Sequence, residues 1–414
     1  MKKVYIDISM VIVGTNFTGI PRVVMELTKQ LYHDPGLELI FLEYHQKKDD
    51  FEIIDAKGFV DFCKEKKGSR KKLRTGAHIP LLGMEKDSVF FDVDAVWKTR
   101  VRRSYLYPGL KAVGVKIVPF VHDIIGVTHP QFCPGDDMLS FLDFTGAVIR
   151  YADEIVVTSR ATRCAVEELC GRLDVTCPSV KIVPLGGDFK KLVEKDASGD
   201  AAWRISGKAV KGRLAGQSMV SEEILEIAKS GPYLLMVGTI DPRKNHKLLL
   251  SAYDRGLKKL GMHLVIAGHK GWDVDDFLKR MEGHEDFGKG IWHVNGASDE
   301  EIDYLYAHCY ALAFPSYIEG YGLPIIESMV RGVPVIAADT PINMEVGGEY
   351  ALYFSQDKPE ELVEAVSGLL EKPSEYESIK DKLKSFVPPT WEETAKGISG
   401  ILSGTDGPER EIST

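Results

Sequence analysis

The sequence predicts an α/β protein made of two doubly wound, Rossmann-like domains. Three observations predict it. Short apolar runs of strand length alternate with amphipathic helical stretches. The alternation occurs in two series, separated by a polar, weakly patterned stretch at 189–230. The glycine-bearing and charged segments follow the apolar runs, where open α/β sheets bind ligands.

Length and composition set the frame. The chain has 414 residues, 44% hydrophobic and 27% charged, with a formal net charge of −9. That balance supplies no global basic field and argues against a dedicated nucleic-acid binder. The six cysteines form no CxxC pair and read as reduced thiols of a cytoplasmic protein. Asp7 interrupts the apolar N-terminus, which fits a buried first strand better than a signal peptide. No run reaches the roughly 18 apolar residues of a membrane span.

In the first domain, 1–188, strands are expected at 4–9, 39–44, 89–91, 116–121, 155–158 and 180–185. Pro21 suits a first helical position, with Val23, Val24, Leu27 and Leu31 at helical spacing behind it. Ser159 is a plausible N-cap for the helix that follows it. Residues 189–230 read as a connector or insertion. The second domain, 231–390, carries expected strands at 233–237, 263–267, 291–294, 310–314, 333–337 and 351–354. Helices are expected between them near 246–257, 273–281, 299–307 and 324–331. Ser298 with Glu301 reads as a capping box. A helix is expected at 391–402, and the polar tail 404–414 reads as disordered.

The sharpest segment is 315–337, PSYIEGYGLPIIESMVRGVPVIA: strand end, glycine loop, helix and strand. Gly320 and Gly322 leave backbone N–H groups open beside a helix N-terminus, which suits anionic oxygens. Tyr321 and Leu323 belong to the same loop, and Pro324 opens the helix without wasting a donor. Glu319 stands in the loop and Glu327 follows eight residues later. Two carboxylates beside an anion site suit the hydroxyls of a sugar nucleotide. By spacing alone, a plain glycine turn with a dipole-favouring glutamate fits equally well.

This segment matches the E-x7-E motif of family 4 glycosyltransferases, the retaining group with the GT-B fold. Other segments resemble that family in order: Phe17–Arg22 its N-terminal glycine loop, Val121-His122-Asp123 its His-bearing strand end, and 183–188 its VPxGxD segment. Val237–His246 resembles its diphosphate loop. The resemblance spans residues 4–402 and looks closest to the bacterial mannosyltransferase-like branch that assembles surface polysaccharides.

The resemblance implies two domains facing a cleft, with 391–402 crossing back onto the first. It implies a nucleotide diphosphate sugar as donor, GDP-mannose or another NDP-hexose, a glycan or lipid-linked acceptor, and no cofactor or metal. Arg243 and Lys244 are implied to bind the donor diphosphate, Glu319 the transferred sugar and Glu327 the ribose, with His122 beside the sugar. Gly19, Thr239, Gly296, Gly320, Tyr321, Gly322 and Leu323 are implied to lie along the donor. Thr239 departs from the arginine that many family members carry there. Asp123 fits either orienting the imidazole or capping a turn, and Arg22 either the ligand or a helix surface.

Two basic clusters remain, Lys64–Arg74 and Lys98–Arg103. They fit a solvated mobile loop first, and peripheral contact with anionic lipid head groups or a lipid-diphosphate acceptor second. Two rivals to transfer remain, a non-hydrolysing nucleotide-sugar epimerase and a silent nucleotide-sugar-binding subunit. A dinucleotide dehydrogenase lacks its GxGxxG after Ser9.

Overall fold

The computed structural model describes residues 1–14, 19–65, 69–188, 193–195, 201–205, 208–210 and 220–405, the three short segments between 193 and 210 in backbone only. The expected disordered tail lies outside the described residues beyond Thr405. Two units form, Met1–Gly186 with Pro389–Ser413, and Gly187–Pro388.

The first unit is built on an eight-stranded sheet: β1 (Lys2–Asp7), β2 (Leu37–His45), β3 (Asp50–Ile54), β4 (Arg74–Pro80), β5 (Val89–Asp92), β6 (Lys116–Val121), β7 (Glu154–Val157) and β8 (Ser179–Ile182). Their order is β4-β3-β2-β1-β5-β6-β7-β8, and the last six run parallel. The all-buried run from Val4 to Asp7 is what a parallel sheet covered on both faces requires. The order reverses between β1 and β5, so the loops after these strands flank the switch point.

The antiparallel extension β3–β4 was not anticipated from the sequence. Arg74–Pro80 is a largely exposed edge carrying Gly76 and Pro80, a composition that strand propensity disfavours. It is anchored by a fork: Arg74 Nε and Nη2 donate to the two Glu43 carboxylate oxygens at 2.6 and 2.5 Å.

The helix Trp391–Ser403 belongs to this unit and packs on the helix Ile20–Leu31. A capping box of Thr390 and Glu393 starts it. Thr394 Oγ1 donates to the Pro184 carbonyl at 2.8 Å. Gly186 is required there, because a Cβ at that position would stand 2.4 Å from the Trp391 nitrogen.

Under the switch point lies a buried polar network. Arg103 is 1% exposed and donates to Asp92 at 2.7 and 3.0 Å and to Asp7 at 2.7 Å. Tyr107 adds its hydroxyl to Asp92 at 2.7 Å. Just after β5, Asp94 accepts the Val11 and Ala95 backbone N–H groups at 2.9 and 2.7 Å. It thereby ties the segment after β1 to the segment after β5.

Burial pushes the Asp94 carboxyl up to about 7, against the pull of those N–H donors. A carboxyl raised in the folded state favours folding while protonated. Its contribution is full below about pH 4, falls as pH rises, and is gone above about 7. Denaturant melts between pH 4 and 8 should show wild type losing stability relative to Asp94→Asn up to about pH 7, then running parallel to it. A constant difference across that range would refute the shift.

The second unit begins with three antiparallel strands inside the stretch read as a connector: β9 (Val193–Lys195), β10 (Ala201–Ile205) and β11 (Lys208–Val210). The end of that stretch is also ordered, as the helix Glu222–Lys229, which buries Ile224 and Ile227. The main sheet holds β12 (Tyr233–Val237), β13 (His263–Ala267), β14 (Ile291–Val294), β15 (Ala311–Phe314), β16 (Val335–Ala338) and β17 (Ala351–Phe354). All six run parallel in the order β14-β13-β12-β15-β16-β17, the Rossmann arrangement. The order reverses between β12 and β15.

Candidate active site

The two loops that leave this second switch point carry the charged residues singled out above. After β12 the chain turns at Gly238, whose φ of 141° is closed to other residues. Thr239 follows, and Ile240 donates to the His269 carbonyl at 2.8 Å. Gly268 lets the neighbouring loop lie against this turn, since a Cβ there would stand 1.8 Å from the Gly238 carbonyl oxygen. Asp241 then caps the one-turn helix Pro242–Lys244, accepting from the Lys244 nitrogen at 3.2 Å. This cap was overlooked in the sequence, although an aspartate before a proline signals one. The turn presents Arg243 and Lys244 together.

Glu319 comes from the loop after β15 and meets both. Lys244 Nζ donates to its Oε1 at 2.6 Å, and Arg243 Nη1 donates to its Oε2. The main chains interlock as well: Tyr317 N donates to the Arg243 carbonyl at 2.9 Å, and Arg243 Nη1 to the Ile318 carbonyl at 3.1 Å. The Glu319 side chain is 8% exposed. Burial pushes its carboxyl up, but Arg243 and Lys244 outweigh burial and hold it at about 2. Glu319 is therefore ionised at neutral pH beside the two basic side chains, and Lys244 Nζ also stands 5.0 Å over the Phe314 ring.

The glycine loop ends at Gly322, which takes φ 96° and caps the helix Leu323–Val330. Gly320 precedes it, and Tyr321 is buried. Glu327 lies in this helix, 8% exposed, and accepts from the Tyr306 hydroxyl at 3.2 Å. Gly296, at φ 76°, follows β14, where His269 and Asn295 are joined at 2.9 Å.

In the first unit, Gly19 caps the helix Ile20–Leu31 with φ 65° and ψ −131°. A Cβ there would meet nothing within 4 Å, so this glycine is set by backbone conformation rather than by crowding. His122 follows β6, 8% exposed, with Nε2 2.7 Å from the Val93 carbonyl oxygen. Burial lowers it to about 4, so the ring is neutral at pH 7. Since a carbonyl only accepts, Nε2 carries the proton and Nδ1 is the acceptor nitrogen. Asp123 caps the next turn, accepting from the Ile125 nitrogen at 2.9 Å.

The basic clusters are less uniform than their sequence suggests. Arg103 is buried in the network described above and Arg74 is paired with Glu43. Arg70 donates to the carbonyls of Val11 and Gly14. Lys66 and Lys67 lie outside the described residues, while Lys64, Lys71, Lys72, Arg100 and Arg102 are exposed. Among the described residues, no helix is long and apolar enough to cross a membrane, and no three His, Cys, Asp or Glu side chains gather as a metal site.

Comparison with known proteins bears on the family and the fold. Residues 220–386 match the family described as glycosyl transferases group 1. The serotype-specific mannosyltransferase WbdA of Escherichia coli is 26% identical over 377 residues, covering 88% of this chain and 42% of that protein. The chain thus spans about two fifths of the length of such relatives. The O-antigen chain mannosyltransferase B of Escherichia coli is 32% identical over 172 residues, 40% of each chain. In fold, the Anabaena protein Alr3699/HepE, solved with UDP and glucose, matches with a TM-score of 0.65 at 15% identity, over 98% of this chain and 100% of its own. Sucrose-phosphate synthase from Thermosynechococcus elongatus matches at 0.62 and 15% identity, over 98% and 99%. The chain has the GT-B type of fold, is similar to bacterial O-antigen mannosyltransferases, and carries over residues 220–386 a domain of the group 1 glycosyltransferase family.

Proposed function

We propose that this protein is a retaining hexosyltransferase of the cytoplasm. It moves a sugar, mannose first among the candidates, from a nucleotide diphosphate donor to a glycan or lipid-linked glycan in surface polysaccharide synthesis. The observation that carries the reading is the convergence of Arg243, Lys244 and Glu319 at the switch point of a Rossmann sheet. In transfer, the bond between the anomeric carbon and the phosphate oxygen breaks with its electron pair staying on the leaving diphosphate, an acceptor hydroxyl oxygen bonds the anomeric carbon, and the hydroxyl proton passes to the diphosphate or to solvent. Two fixed cations are suited to stabilise that charge, with Arg243 able to fork two phosphate oxygens. Glu319 keeps the cations side by side before the donor arrives, and its oxygens suit sugar hydroxyls. Glu327 suits the ribose, and the neutral His122 ring can accept from a hydroxyl through Nδ1. Retention rests on the resemblance to family 4 enzymes.

A thermal-shift panel of nucleotide sugars tests the donor class. A true donor at one hundred times its Kd should add about 2.7 kcal/mol of stability. Transfer of that sugar to an extracted glycan should persist in EDTA and give a product with the donor's anomeric configuration by NMR. No stabilisation by any nucleotide sugar, or an inverted product, would sink the proposal. An epimer formed from donor alone would replace it with the epimerase reading.

A further inference from the structure

Two helices of the second unit grip each other through four polar side chains, and the grip closes on Glu327. On the helix Asp299–His308, Asp303 and Tyr306 lie three residues apart and share a face. On the helix Leu323–Val330 and its cap, Glu327 and Arg331 lie four apart. Arg331 Nε donates to Asp303 at 2.6 Å, and its Nη1 donates to the Glu327 backbone carbonyl at 2.8 Å. The same guanidinium stands 5.0 Å over the Tyr306 ring. That ring is buried, and its hydroxyl reaches Glu327 Oε2 at 3.2 Å and the Pro324 carbonyl at 3.4 Å. Burial, with Glu327 adding to it, pushes the Tyr306 hydroxyl well above its ordinary value, so it stays a donor throughout the neutral range.

We infer that Tyr306 is a positioning residue for nucleotide binding: its hydroxyl sets the rotamer of Glu327 so that the carboxylate meets the ribose hydroxyls of the donor. The inference rests on the proposed function, which gives Glu327 the ribose. A carboxylate has about four acceptor positions, so a hydrogen bond from the phenol is compatible with accepting ribose O–H donors as well. Arg331 is directed at Asp303 and at the Glu327 main chain. It holds the helix in register, while the phenol aims the side chain. Such orientation of a binding carboxylate by a buried partner acts on affinity more than on the chemical step.

The test titrates wild type and Tyr306→Phe with whichever of GDP, UDP and ADP binds wild type most tightly, and then with its 2′,3′-dideoxy form. Tyr306→Phe should weaken the ribonucleotide about tenfold, as loss of a hydrogen bond to a charged group does. It should change binding of the dideoxy form less than twofold. In transfer assays, KM for the donor should rise with kcat unchanged. Asp303→Asn, which loosens Arg331 while leaving the Tyr306 hydroxyl present, should show the same pattern more weakly and guards against misfolding of the first variant. Equal losses for the ribo and dideoxy forms, or none for either, would overturn the inference. Failure of wild type to bind any of the three diphosphates would instead overturn the proposed function on which it rests.

Discussion

Alanine at Lys244 is expected to lower kcat/KM for sugar transfer at least a hundredfold, the usual cost of removing one fixed charge from a developing anion. Arg243→Ala should behave alike. The two cations converge on one carboxylate, and each neutralises part of what would otherwise be a buried negative charge. Lys244 is 9% exposed at its side chain, so truncation also leaves Glu319 with one counter-ion fewer in a place water reaches poorly. The variant must therefore be shown folded by its thermal melt, and Glu319→Gln should relieve its instability without restoring transfer. Activity within threefold of wild type would remove Lys244 from the chemistry. If EDTA abolished wild-type activity and Mn²⁺ restored it, a metal ion would be carrying the charge assigned to the two side chains.

The second large effect is on stability. Arg103→Met is expected to cost about 3–5 kcal/mol, the range for breaking a buried ion pair by removing one partner. Met fills much of the stem's volume but leaves Asp7 and Asp92, both fully buried, without their shared cation. For a unit of this size, that is a fall in melting temperature of roughly 6–20 °C. Burial raises the Asp92 carboxyl and Arg103 pulls it down, so loss of the cation should raise it further. A carboxyl raised in the folded state favours folding at low pH, so the gap between variant and wild type should narrow as pH falls toward 5. A gap of under 1 kcal/mol, or one that widens on acidification, would show that the network is not an ion pair of this kind.

Much of the second unit is legible from local chemistry. The strands at 233–237, 263–267, 291–294 and 351–354 are short, mainly apolar runs, and their bounds coincide with β12, β13, β14 and β17. The box of Ser298 and Glu301 is present because its two hydrogen bonds are local. The edge strand β4 escapes such reading, since a largely exposed edge demands no apolar run. At the candidate site, the loops after strands are visible as glycines and charges. The joining of Lys244 to Glu319 across 75 residues is not, because it depends on β12 and β15 being neighbours, which strand order alone decides. Tyr306 and Arg331 are invisible for a similar reason: on a sequence they are an aromatic and a cation in ordinary helices.

The helix Trp391–Ser403 gives the molecule a temporal asymmetry. Its seat at Pro184 and Gly186 is synthesised before the entire second unit, and its own residues after it. At about 5–20 residues per second, the ribosome leaves that seat bare for roughly 10–40 s. The second unit, continuous in the chain, can close within that interval. The first unit is therefore completed after the second, and its seat for this helix stays uncovered until residues 391–403 have been made.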